Sequence, residues 1–151
     1  GPVAASCDLA AVVRERAGFW SALAEDDGRD WEARTPEGPV PVGLSAEEAG
    51  AALDALVGNV FAHTDEGTAY ALRLDVADGR ARLAVEDAGP GIDDPGVLDR
   101  GATRAGSGST GLGLDIARQA AEAAGGTLTI DRSPALGGAR VVLAVPVRAG
   151  G

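Results

Sequence analysis

The chain has 151 residues, which suits one domain on a prior of about 100–200 residues each, and 45% hydrophobic with 24% charged residues is a globular make-up. No apolar run approaches the roughly 20 residues of a membrane-crossing helix, and Gly1-Pro2-Val3 does not open a secretory signal. Thirteen basic residues against 23 acidic ones leave a net charge of −10, which argues against nucleic-acid and direct membrane binding.

Gly1-Pro2 has the form of a scar left by tag removal, and a single domain is expected over residues 3–151. From Asp8 to about Glu25, the residues Leu9, Val12, Val13, Phe19, Trp20 and Leu23 predict an amphipathic helix, stopped at Gly28. Asp30–Thr35 and Val40–Leu44 read as short strands around the turn Pro36-Glu37-Gly38-Pro39. Ser45-Ala46-Glu47-Glu48 is a capping box, and a helix follows to about His63. Its stripe is Ala49, Ala52, Leu53, Leu56, Val57 and Val60, with Asn59 and His63 four apart at the edge.

Thr68–Val76 alternates, placing Tyr70, Leu72, Leu74 and Val76 on one face. Asp78-Gly79 predicts a type I′ hairpin turn. On the return strand Ala81, Leu83 and Val85 point inward, and Asp87 continues their phase until Ala88-Gly89-Pro90-Gly91 breaks the strand. Residues 93–109 are rich in glycine and polar residues, the profile of a lid. Gly108-Ser109-Thr110-Gly111-Leu112-Gly113-Leu114 then opens a helix to about Ala124, stopped by Gly125-Gly126. Thr127–Asp131 and Ala139–Val147 form a closing hairpin, with Val141, Val142, Leu143 and Val145 as buried-strand material. This order is not a regular β-α-β alternation. It predicts an α+β two-layer sandwich, a mixed sheet of five to six strands with three main helices on one face.

All 13 basic residues are arginine, so an anion must be met by arginine, backbone N–H groups, a helix N-terminus or a metal, and a P-loop is excluded. Cys7 and His63 are the only cysteine and histidine, which excludes an internal disulfide, a thiolate zinc cluster and a multi-histidine metal site. The run 106–113 can aim several N–H groups at one phosphate beside a helix dipole; the competing reading is a flexible loop and cap. An inward Asp87 needs a donor, which an amino group on a flat heterocycle would supply, as would local turn N–H groups. The Asn59 amide oxygen suits Mg²⁺ bridging phosphates, and His63 can hydrogen-bond a phosphate or ribose; each could equally be a satisfied boundary side chain.

Taken in order, these motifs resemble the ATP-binding domain of sensor histidine kinases, in the wider GHKL superfamily with DNA gyrase, MutL and the heat-shock chaperone ATPases. LDALVGNVFAHT over residues 53–64 resembles the N box, VEDAGPGI over 85–92 the first glycine box, and GSTGLGL over 108–114 the second. The resemblance covers about residues 45–147 and implies a Bergerat-type sandwich that binds Mg-ATP under a mobile lid. It implies that Asn59 coordinates Mg²⁺ through the phosphates and that Asp87 accepts from the adenine amino group. Gly89, Gly91 and Ile92 would line the adenine pocket, and His63 and Thr64 would sit by the ribose and phosphates. Gly108, Thr110, Gly111, Leu112, Gly113 and Leu114 belong to the phosphate-side box.

Three positions depart from the family pattern. Ala62 stands where a basic residue commonly precedes the N-box histidine, so Arg100 or Arg104 of the lid would substitute. Ala55 stands four before Asn59; Asp54 is adjacent, turned about 100° around the helix, and is the candidate general base. Leu98 replaces the usual lid phenylalanine. The resemblance further implies a phosphoacceptor histidine on an absent dimerisation domain of the same parent protein, a response regulator as partner and a cytoplasmic, monomeric domain of a membrane-anchored parent. An anti-sigma-factor-type serine kinase and a degenerate partner-binding module are the competing readings.

Overall fold

Asp8 does two jobs at the start of the described chain. It ends the two-residue strand β1 (Cys7–Asp8) and caps helix α1 (Leu9–Asp26), its Oδ1 accepting from the Ala10 N–H at 3.0 Å. The same oxygen accepts from the Val40 N–H at 2.8 Å, tying the helix start to strand β3 (Pro41–Val42). This computed structural model describes residues 5–90 and 108–148, with side chains from Gly113 onward in the second stretch.

Leu9, Ala10, Val12, Val13, Ala17 and Ala24 are the buried face of α1. Phe19 and Leu23, expected on that face, are instead 51% and 43% exposed. They lie about 100° around the helix from the stripe that runs through Ala17, Trp20 and Ala24. The helix ends in a Schellman turn: Gly28 has φ +69°, its N–H donates to the Glu25 carbonyl at 3.2 Å, and the Arg29 N–H donates to the Ala24 carbonyl at 2.8 Å.

Helix α2 (Ala46–His63) begins as the sequence predicts. Ser45 Oγ accepts from the Glu48 N–H, and the Glu48 carboxylate accepts from the Ser45 N–H, each at 3.0 Å. All six residues of its predicted stripe are buried.

Strand β2 (Trp31–Arg34) runs parallel to β4 (Tyr70–Ala77), across α2 in the sequence. Strand β5 (Arg80–Asp87) returns antiparallel from β4 through Asp78 (φ +54°) and Gly79 (φ +74°), the left-handed pair of a type I′ turn. Helix α3 (Gly108–Ala123) ends in a second Schellman turn, with Gly126 N–H to Ala121 carbonyl at 2.8 Å. A Cβ on Gly126 would collide with the backbone of Ala144, so only glycine lets β6 (Thr127–Arg132) leave that turn beside β7 (Ala139–Pro146).

The sheet order is β2-β4-β5-β7-β6, so the last strand inserts at the inside of its own hairpin, against β5. Leu72, Leu83, Leu128, Leu143 and Val145 of the sheet share one core with α1, α2 and α3. Each fully buried leucine there contributes about 1.5–3 kcal/mol over leaving it in water. The predicted α+β two-layer architecture is present, with five strands in the main sheet.

Two expectations on the strands are corrected. Val40–Leu44 yields only β3, which pairs with β1 in a separate two-stranded sheet; Pro41 lacks the N–H that an interior strand must donate. Val76, paired with Ala81 next to the Asp78-Gly79 turn, is 46% exposed. On the outer sheet face Glu86 is buried between Arg73 (Nε at 2.8 Å) and Ser133 (Oγ at 2.7 Å), a polar tie that the alternation pattern does not reveal.

Candidate functional site

Asp87 sits where β5 ends, and it is 8% exposed. Its Oδ1 accepts from two backbone donors, Gly89 N–H at 2.9 Å and Ala139 N–H at 3.2 Å. Its main-chain carbonyl accepts from Gly138 N–H at 3.0 Å. These bonds fix the carboxylate plane through Oδ1, and no described donor is directed at Oδ2. A carboxylate held this way can accept from a ligand amino group with its second oxygen.

Gly89 is pressed by Thr64. A Cβ at position 89 would lie 2.7 Å from Thr64 Cγ2 and 3.2 Å from Asp87 Oδ1. Thr64 is the C-cap of α2, so the end of the helix and the end of β5 meet there.

Asn59 meets the start of α3. A Cβ on Gly113 would lie 2.7 Å from Asn59 Oδ1 and 3.0 Å from Nδ2, so a side chain at 113 would push the amide aside. Asn59 Nδ2 is buried and has no hydrogen-bond partner, one of two such side-chain atoms among the described residues. The other is the hydroxyl of Tyr70, the cross-strand neighbour of Asp87; burial pushes its pKa up to about 12. A buried donor without a partner costs about 1–3 kcal/mol, and a ligand oxygen would relieve that cost at Asn59.

The structure therefore brings Asn59 to Gly113, and Thr64 to Gly89 beside Asp87, at the end of α2, the end of β5 and the start of α3. Gly108, Thr110, Gly111 and Leu112 lie on the first turns of α3, and their side chains are outside the description. Leu114 is 2% exposed and belongs to the core, so it braces the helix start from within. His63 is exposed, one turn beyond Asn59 in the last turn of α2. Gly91, Ile92, Arg100 and Arg104 lie outside the described residues, as does the lid as far as residue 107.

Asp54 is not beside these residues. It stands about 140° around α2 from Asn59, on the side of α1. There its Oδ1 accepts from Arg16 Nε at 2.8 Å and from Trp20 Nε1 at 2.9 Å. The candidate base is thus a clamp between two helices. Asp54→Ala should lower stability by about 1–2 kcal/mol for the two lost bonds while leaving nucleotide affinity unchanged. Denaturant unfolding and a nucleotide titration of the same variant check both halves; a tenfold affinity loss would return Asp54 to the site.

Two residues escape sequence reasoning. Arg29 has a side chain only 1% exposed, hydrogen-bonded to Asp27, Thr64 and Thr68. The one sequence signal is its place after Gly28, where a Schellman turn directs the next residue back onto the helix. Gly138 approaches Asp87 so closely that a Cβ would overlap both its carboxylate and its carbonyl. Its sequence signal, a Gly-Gly before a strand, reads as an ordinary turn.

Residues 46–149 match the family model described as histidine kinase-, DNA gyrase B- and HSP90-like ATPase. The sensor protein kinase CarS of Pseudomonas aeruginosa is 42% identical over 103 residues, covering 64% of this chain and 23% of that protein. The sensor-type histidine kinase PrrB of Mycobacterium tuberculosis is 37% identical over 103 residues, covering 63% of this chain and 22% of that protein. The chain thus spans less than a quarter of the length of these relatives. Among solved structures, the mycobacterial sensor histidine kinase MprB superposes with TM-score 0.80 at 26% identity, covering 98% of this chain and 100% of that one. The ATP-binding domain of PrrB from Mycobacterium tuberculosis superposes with TM-score 0.77 at 21% identity, with the same coverage, and shares the fold. No helix among the described residues is long and apolar enough to cross a membrane. On the family match over 46–149, the chain belongs to the histidine kinase-, DNA gyrase B- and HSP90-like ATPases.

Proposed function

We propose that this chain is the ATP-binding catalytic domain of a sensor histidine kinase, holding Mg-ATP at this site and passing the γ-phosphoryl group to a histidine on a separate dimerisation domain. The single observation that carries the reading is the Asn59 amide, its Nδ2 buried and without a partner, set against Gly113, where a Cβ would push the amide aside. The names of the relatives, sensor kinases, support the same reaction class.

Each residue then has a role. Asp87 Oδ2 accepts from the adenine amino group while Oδ1 stays with the backbone. Gly89, Gly91 and Ile92 line the ring. The N–H groups and dipole of the α3 start face the phosphates, with the Thr110 hydroxyl beside them. His63 and Thr64 border the ribose side. Arg100 and Arg104 are the cations available between the glycine boxes, replacing the charge that Ala62 omits.

Among the described residues, no group of three carboxylate, histidine or cysteine side chains could hold a metal. An ion at this site would be held mainly by the phosphates, with Asn59 Oδ1 as the protein oxygen, a donor set that fits magnesium. When bound, magnesium offsets the charge of the β- and γ-phosphates. A response regulator as the onward acceptor, and a membrane-anchored parent with this domain in the cytoplasm, belong to the same proposal.

Asn59→Ala tests it. Calorimetric titrations of ATP with Mg²⁺ and with EDTA should differ for the native chain by about 10- to 100-fold, and the variant should lose most of that difference. Transfer of labelled γ-phosphate to an added dimerisation domain should fall in step. An equal response to the metal in both proteins would make Asn59 a helix-boundary residue and overturn the reading.

A further inference from the structure

We propose that Arg29 is a positioning residue for the nucleotide, fixing Asp87 through Thr64 and Gly89; this rests on the nucleotide-binding reading above. A buried guanidinium is costly, and the position after a helix-ending glycine ordinarily takes an apolar side chain. Among the described residues the only carboxylate on Arg29 is Asp27, which is itself part-exposed. The other bonds run away from α1. Nη1 donates to Thr64 Oγ1 at 2.7 Å and to the Thr68 carbonyl at 3.0 Å, and Nη2 donates to the Thr64 carbonyl at 3.3 Å. The Phe61 ring lies under the guanidinium at 4.4 Å and holds it in plane.

Thr64 is therefore held at both ends of its hydroxyl. Oγ1 accepts from Arg29 and donates to the Val60 carbonyl at 2.6 Å, which leaves its χ1 angle one choice. That choice turns Cγ2 onto Gly89, where even a Cβ would be 2.7 Å away. Gly89 in turn gives its N–H to Asp87 Oδ1 at 2.9 Å. The order of control is guanidinium, hydroxyl rotor, glycine backbone, carboxylate plane. Without Arg29, Thr64 can exchange hydroxyl and methyl, Gly89 loses its wall, and the Asp87 carboxylate, left with the Ala139 N–H as its one fixed donor, is less firmly oriented before the nucleotide arrives. Lost pre-organisation of this kind weakens binding without removing any contact to the ligand.

The test is a double-mutant cycle on the full chain, read by calorimetric titration of Mg-ATP and Mg-ADP and by thermal unfolding without nucleotide. Arg29→Lys and Thr64→Val should each weaken both nucleotides by about 10-fold, ATP and ADP alike, because the adenine end is common to them. The double variant should be no weaker than either single one, because the two residues act in series. Arg16→Met, which breaks the bridge from α1 to Asp54, serves as the comparison: it should lower the unfolding temperature and leave both affinities unchanged. A folded Arg29→Lys with native affinity overturns the proposal, as do losses that multiply to about 100-fold in the double variant. Should the arginine variants fail to fold, Thr64→Val carries the test alone, and native affinity there overturns it. If the native chain binds neither nucleotide, the reading on which this rests falls with it; if it binds and the cycle fails, this inference alone falls.

Discussion

Asp87→Asn should abolish nucleotide binding and leave the fold intact. An asparagine keeps the shape, but it must choose which side presents its NH₂ group. Two backbone donors, from Gly89 and Ala139, already point at the Oδ1 position. The amide oxygen must take that place, or three donors face one another in a buried site. The NH₂ group then takes the Oδ2 position, where on the proposed reading it meets the adenine amino group as a second donor. The variant loses a charge-assisted hydrogen bond and leaves a buried donor unpaired, a cost of about 2–4 kcal/mol, or roughly 30-fold to nearly 1000-fold in affinity. The native and mutant chains should unfold within about 1 kcal/mol of each other, since the backbone ties survive. Native ATP affinity in a folded Asp87→Asn would sink the adenine assignment.

Gly138→Ala should damage both stability and binding, because one methyl group strikes the fixed end of the same network. The added Cβ would overlap Asp87 Oδ1 and the Asp87 carbonyl oxygen and come within 2.7 Å of the Gly89 nitrogen. Two of these are backbone atoms and cannot rotate away. The entry to β7 must move off β5, breaking the bonds from Gly138 N–H at 3.0 Å and Ala139 N–H at 3.2 Å. Overpacking plus two lost hydrogen bonds costs about 2–4 kcal/mol of stability, and release of the carboxylate should weaken ATP by about 100-fold. Denaturant unfolding and calorimetry on one sample check both. A stable Gly138→Ala with native affinity would mean that Asp87 needs no tie to β7.

What was legible in the sequence is what local periodicity and turn chemistry control. The stripe from Ala49 to Val60, the Ser45 capping box and the Asp78-Gly79 turn are as predicted, because each depends on residues three or four apart, or adjacent. The inward phase of Asp87 held for the same reason: alternation along one strand fixes a face without knowledge of the neighbours. What was hidden depends on residues far apart in the chain. The parallel pairing of β2 with β4 gives no local signal, nor does β1, whose two residues pair across α1 with β3. Phe19 and Leu23 were misplaced because an apolar residue is not obliged to be buried when its helix face has no partner. At the candidate site, the pattern singled out Asn59, Gly113, Thr64, Gly89 and Asp87, which the structure brings together in two contacts, and missed the residues packed behind them. Arg29 and Gly138 were invisible because their roles exist only where three segments meet. For Asp54 the turn of about 100° from Ala55 is legible in the sequence; that α1 stands on that side with Arg16 and Trp20 is not.

The place of β7 between β5 and β6 also sets an order of events when the chain is made. Strands β4 and β5 can close as a hairpin as soon as both have left the ribosome, since their turn is local. The sheet then waits. Its centre is filled by residues 139–146, which must find a register against a strand about 60 residues earlier, a slow non-local step. Until that docking, Asp87 lacks the donor 52 positions downstream that fixes its carboxylate, although the sequence of both glycine boxes has already been translated. On the proposed reading, nucleotide binding follows the docking of β7: a chain in which that strand is not yet paired carries every recognisable motif and still lacks one of the two donors that orient Asp87. ATP acts on such a chain as a selective stabiliser of the finished sheet, and gain of affinity marks the moment at which the last strand has docked.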